Sequence, residues 1–223
     1  MSADQLGPGP RSRVRRSPEK ARYDEAVIYA IIDEARLCHV AAMVNGLAMT
    51  LPTLHVREGR TIYLHGSQSN AVMKSIGERG EACVNVALYD GLRLARSGFE
   101  SSIAYRSVTI FGTTRVVSDV AEKSRVLTLF LDQILPGRAG EVRAMTDLEQ
   151  RLTMVLALSI DEASAKVSAG PTDDMIDDLD LPIWSGTVPA RLSFGTPIPS
   201  SDGAMLSGGI QLPASVRRLL DEQ

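Results

Sequence analysis

Residues 62–75, IYLHGSQSNAVMKS, have the types and spacing needed to hold an anion. Ile62, Tyr63 and Leu64 favour a strand, Gly66 interrupts it, and Ser69 or Asn70 can cap a helix running toward Ile76. The first-turn amides of such a helix point back at the break, where their partial positive charge favours a phosphate. His65 would add a hydrogen bond and Lys74 a full positive charge. A capped strand–turn–helix is also ordinary architecture, so these residues alone leave both readings open.

Other chemistries find little support. No serine, cysteine or histidine sits in a nucleophile elbow, and neither the Walker phosphate loop nor the dinucleotide glycine fingerprint occurs. His39, His55 and His65 lie on separate strand-like segments without the close spacing of a structural zinc site, so no metal is expected. Asp173, Asp174, Asp177, Asp178 and Asp180 come in adjacent pairs rather than on the alternating positions of a calcium loop. They read as a solvated acidic surface.

The 223 residues are 44% hydrophobic and 23% charged, enough for one large domain, and a formal net charge of -3 gives no field for non-specific nucleic-acid binding. Arg11, Arg13, Arg15 and Arg16 follow Gly7-Pro8-Gly9-Pro10, so residues 1–16 read as a poorly ordered basic arm. Cys38 and Cys83 lie in apolar runs and are expected to be reduced and buried. With no apolar run long enough to span a bilayer and no apolar secretory core, a cytoplasmic protein away from membranes is expected.

Several elements would position the 62–75 segment. Ser17-Pro18 and Asp24 are two candidate helix starts before EAVIYAIIDEA, whose Val27, Ile31 and Ile32 make one apolar face. Residues 37–44 and 47–56 are β-prone runs joined by Asn45-Gly46, a hairpin signal. Strands are predicted over 61–65, 82–88, 105–117 with a bend or bulge at Gly112, and 153–160, with 163–167 extending the last. Asp119 caps a helix whose Val126, Leu127, Phe130, Leu131 and Ile134 recur at helical spacing until Pro136-Gly137. Turns too short for crossovers favour an antiparallel β-barrel with flanking helices over a parallel α/β layering. One domain over 17–199 and a tail over 200–223, with a short helix near 213–220, complete the expected layout.

The stretches CHVAAMVNGLAMTLPTLHVREGRTIYLHGSQSNAVMKSI, SGFESSIAYRSVTIFGTTRVV and LPIWSG, in this order, resemble the pyridoxamine 5′-phosphate oxidase-related, flavin-nucleotide-binding split-barrel proteins. The likeness spans about residues 15–199. It implies a six-stranded antiparallel split barrel, a homodimer, and FMN in each of two clefts at the subunit interface. By that resemblance His65, Gly66, Asn70 and Lys74 hold the phosphate and ribityl end, and Thr50 and Leu51 contact the isoalloxazine through main-chain groups. Arg106 and Ser107 lie near its pyrimidine edge. The only tryptophan, Trp184, would pack across the dimer interface or beside the flavin.

Departures narrow the function. The oxidases themselves carry an arginine-led, lysine-ended strand against the flavin, whereas residues 48–53 read AMTLPT, and their C-terminal arginine–histidine pair has no match in ARLSFGTPIP. The resemblance therefore implies an FMN-dependent oxidoreductase passing electrons between a reduced nicotinamide or similar donor and a small organic acceptor, rather than oxidation of vitamin B6. No catalytic acid or base stands out. Alternatives are a flavin-storage module, a haem-binding split barrel with His39 or His55 as axial ligand, and a deazaflavin-dependent reductase.

Overall fold

The structure, a computed structural model, describes residues 5–200 and 209–221. β1 (Ala21–Arg22) and α1 (Glu25–Glu34) precede the hairpin of β2 (Cys38–Val44) and β3 (Leu47–Thr53). β4 (His55–Glu58), β5 (Thr61–Ser67) and α2 (Ala71–Arg79) follow, then the long strands β6 (Glu81–Leu94) and β7 (Ser102–Val116). α3 (Val120–Ile134), α4 (Asp147–Leu152), β8 (Thr153–Ser159), β9 (Glu162–Ser168), β10 (Gly186–Pro189) and α5 (Ala214–Asp221) complete the described chain.

Short-range signals set most element ends. Asp24, Asn70 and Asp119 each accept first-turn amides and start α1, α2 and α3. Gly80 closes α2 in the left-handed region at φ 74°, which suits a residue without a Cβ. Asn45 and Gly46, at φ 51° and 80°, form the tight β2–β3 turn. The earlier candidate start at Ser17 gives only a 3₁₀ turn, Pro18–Lys20, because the Ser17 side chain makes no capping bond.

All strand pairs are antiparallel, in the order β3-β2-β6-β7-β8-β5-β4, with β9 beside β7 and β1, and β10 beside β6. β7 pairs with β6 along one edge, but its other edge changes partner. It pairs with β9 as far as Phe111 and with β8 from Thr114. Gly112 lies at that split, where a Cβ would stand 1.7 Å from the Ser159 carbonyl oxygen. The bulge expected there occurs instead between Tyr89 and Gly91, where the β6–β7 register shifts. The result is an antiparallel split barrel of ten strands rather than six, and it is not closed, since β3 and β4 end the order.

Alternation on the strands divides the apolar residues between two cores. Ile62, Leu64, Val84, Ile110 and Leu156 point inward, where Ile28 and Ile32 of α1 and Met73 and Ile76 of α2 plug the barrel. Tyr63, Val155 and Ala157 point outward against Val126 and Phe130 of α3.

Three expectations are corrected. The 47–56 run is two strands, β3 and β4, which lie at opposite ends of the sheet order. The basic arm is not free over its described part, because Leu6 is fully buried in the barrel core and its backbone bonds Tyr23 and Ala163. Arg11 is held there too, its Nε donating to Glu162 Oε1 at 3.0 Å. In the acidic segment, Asp173 and Asp174 bind Arg93 and Arg96 of β6 and the following turn, and the Asp174 side chain is only 7% exposed. Asp174 is thus taken out of water, whereas Asp173, 74% exposed, and the exposed Asp177 and Asp180 keep the solvated acidic surface expected of this segment. Of the tail, residues 209–221 are described, with α5 donating from Ser215 N to Glu141 Oε1 at 2.9 Å; most of the glycine-rich 203–209 stretch lies outside the described residues.

Candidate functional site

The β5–α2 junction brings Gly66, Asn70 and Lys74 together. Asn70 Oδ1 accepts Val72 N at 3.0 Å and Met73 N at 3.1 Å, so two first-turn amides are already bonded. An anion there would meet the exposed Lys74 and the Ser69 hydroxyl, which is 2.8 Å from that of Ser67 at the end of β5. Among the described residues Lys74 joins no ion pair. Gly66 faces α2 closely, since a Cβ would sit 3.2 Å from Met73 Cγ. β3 lies against the same helix and pairs only with β2. One row of its main-chain groups, in the strand carrying Thr50 and Leu51, is therefore open to a ligand.

His65 does not join that junction, because successive strand residues face opposite sides. Its ring turns to α3, with the Phe130 ring centroid 4.2 Å away at a 56° tilt. Nδ1 is buried without a hydrogen-bond partner, and burial lowers the pKa of the ring. The imidazole is thus neutral at pH 7, with lone-pair chemistry available. It lines a cleft of about 610 Å³, whose apolar wall includes Leu127, Leu131, Ile134, Met145 and Leu152. Arg143 and Glu149 also line it and pair with each other, Arg143 Nη2 donating to Glu149 Oε1 at 2.6 Å. Behind residues 142–145 lies a second cavity of about 220 Å³.

The other histidines offer less. His55 Nε2 donates to the Ile32 carbonyl at 2.8 Å, which ties the buried ring between β4 and α1, and burial lowers its pKa as well. His39 is exposed on β2. Neither lines the cleft.

Arg106 lies elsewhere again. Its Nη2 donates to Glu34 Oε1 at 2.8 Å and to Asp90 Oδ1 at 2.8 Å, and these carboxylates raise its already high pKa. The two carboxylates cancel much of its positive field. β7 meets α2 at Thr114, whose hydroxyl donates to Ile76 O at 3.1 Å. Arg106 lies eight residues back on the strand, about 26 Å at the usual rise, and Ser107 faces the opposite side. One chain therefore gathers Gly66, Asn70 and Lys74 beside β3 but leaves His65, Arg106 and Ser107 apart from them. Tyr63 and His65 alternating on β5, together with the Val126–Phe130 spacing of α3, are the sequence signals that could have placed His65 on the outer face. Nothing comparable marked Arg143.

Among the described residues no group of three or more His, Cys, Asp or Glu side chains is placed to hold a metal ion, and no helix is long and apolar enough to cross a membrane.

Residues 24–167 match the family described as pyridoxamine 5′-phosphate oxidase. Among solved structures, the flavocytochrome Anf3 from Azotobacter vinelandii is 34% identical over 94% of this chain and 96% of its own, with a TM-score of 0.87. The FAD and haem binding protein from Mycobacterium smegmatis is 36% identical over 90% of this chain and 97% of its own, with a TM-score of 0.83. No curated protein matches the sequence.

Proposed function

The chain belongs to the pyridoxamine 5′-phosphate oxidase family, and from that premise we propose that it is a flavin-nucleotide-binding redox protein. The observation that carries this reading is the junction of an exposed Lys74 and the Ser67–Ser69–Asn70 turn with the open edge of β3. Lys74 and the hydroxyls take the phosphate, and the β3 main chain around Thr50 and Leu51 takes the ring system. Arg106 and Ser107 reach the flavin from a second subunit, because the single chain keeps them far from Lys74. Exposed Leu47, Met49 and Trp184 support a second copy as their cover, and the protein acts as a homodimer. Flavin, when bound, supplies hydride or single-electron transfer, here between a reduced nicotinamide donor and a small organic acceptor. FMN follows from the sequence resemblance, whereas the 36%-identical relative supports FAD. The two unpaired cysteines support a reducing, cytoplasmic setting.

A specific observation favours haem as a second ligand rather than a substitute for flavin. The neutral His65 imidazole, with a buried and unpartnered nitrogen, faces an apolar cleft large enough for a planar macrocycle. Both full-length relatives support this reading, one being a flavocytochrome and the other described by its FAD and haem. His65 takes the place expected for His39 or His55. Haem, when bound, supplies one-electron chemistry, while Phe130 and the α3 residues exclude water from the ring face.

Titration of the purified protein with FMN, FAD and haem tests both readings through absorption and flavin-fluorescence quenching. Tight uptake of one flavin is expected, together with a haem Soret band that His65→Ala removes. A protein that takes up neither flavin overturns the first reading. Haem binding unchanged in His65→Ala overturns the second.

A further inference from the structure

We propose that Arg143 is the carboxylate clamp of the His65 cleft, exchanging Glu149 for an acidic group on the bound planar ligand. This rests on the haem reading of that cleft. Among the described residues lining it Arg143 is the only lysine or arginine, and its side chain is 69% exposed at the mouth. A ligand seated on the apolar wall would place any carboxylate within the reach of this side chain. Haem has that form, an apolar macrocycle with two carboxylates on one edge.

The resting partners show why the exchange is feasible. Glu149 opens α4 as the third residue of a capping box, and Oε2 accepts Thr146 N at 2.8 Å and Thr146 Oγ1 at 3.0 Å. Its carboxylate keeps those donors, and 39% exposure to water, after Arg143 leaves. The Arg96–Asp174 pair differs in exposure, for the Asp174 side chain is only 7% exposed, and a carboxylate parted from its guanidinium there would lie largely out of water. Arg143 also holds the Ala144 carbonyl through Nη1 at 2.9 Å, which keeps the guanidinium over the wall of the cleft. The resting pair is bidentate, Nη1 donating to Glu149 Oε2 at 2.8 Å and Nη2 to Oε1 at 2.6 Å, but both side chains stay open to water, so a second carboxylate can take over the guanidinium without either charge being buried.

The test is a haem titration followed by absorption, run in parallel with haem dimethyl ester, whose carboxylates are masked. Wild type should bind haem more tightly than the ester, and Arg143→Ala should weaken haem about tenfold while leaving the ester unchanged, as expected for one charge-assisted pair at a partly exposed site. Glu149→Gln keeps a capping-box residue but removes the competitor, and should tighten haem about two- to fivefold. A merely structural arginine would not give that gain. Equal affinities of wild type and Arg143→Ala for both ligands, with haem still lost in His65→Ala, overturn the clamp and leave the cleft reading intact. If wild type takes up no haem, or His65→Ala binds it normally, the cleft reading fails and the clamp falls with it.

Discussion

Gly66 and His65 are neighbours in the chain, yet they look into opposite environments. On the α2 side of β5 lie a bonded turn of serines and Asn70, an exposed lysine and an open sheet edge. On the α3 side lie Phe130, an unpartnered imidazole and a cleft walled by leucine, isoleucine and methionine. The first suits a phosphate and its positive counter-charge, the second a flat apolar ligand that needs a neutral nitrogen. A single strand thereby separates two ligand chemistries, because its side chains alternate. Adjacency in sequence is a poor guide to membership of one site when the segment is extended.

The largest effect that would sharpen this contrast is Phe130→Ala. Phe130 is 3% exposed and packs in the outer core, so truncation should lower stability by about 3–5 kcal/mol, read as a drop in thermal midpoint. The barrel side should still bind flavin wherever the variant is folded. Loss of flavin affinity in the folded variant would mean that the two faces are not independent. Lys74→Ala acts on the other face and should weaken flavin about tenfold, measured by fluorescence quenching, with the haem titration unmoved.

The smallest effect is a pH dependence. Burial lowers the pKa of both His55 and His65 below the unfolded value of about 6.5. As pH falls below that value the unfolded chain takes up protons that the folded chain does not, so stability is full above it and declines toward the lowered folded values. Thermal midpoints between pH 7.5 and 5.5 should fall, and less so in His65→Gln. A profile that stays flat across this window would contradict neutral burial of these rings. Glu149, held down to about 2 by Arg143 and Thr146, remains charged throughout that range and does not contribute to the slope.

Much of the frame was legible because it rests on contacts a few residues apart. The Asn45-Gly46 turn, the caps at Asp24, Asn70 and Asp119, and the apolar stripe of α3 each follow from local stereochemistry. What stayed hidden depends on partners far along the chain. Leu6 is buried by Tyr23 and Ala163, and Asp174 meets Arg96 across 78 residues. A glycine-rich start and one aspartate of an acidic run look solvated until the elements that hold them are known. Arg106 shows the same limit, since its partners Glu34 and Asp90 come from α1 and the β6 bulge. Of the proposed anion cradle, the Asn70 cap and the helix it opens form as expected and Lys74 is exposed on that helix, while His65 belongs to the opposite face.

The central claim is that flavin and haem occupy different faces of β5, and the most direct measurement is haem titration of protein already saturated with flavin. Independent sites predict that haem binds with the affinity it has for the flavin-free protein, that the two absorption spectra add, and that no flavin is released. Release of flavin as haem binds would show one shared site and contradict the division drawn at Gly66 and His65.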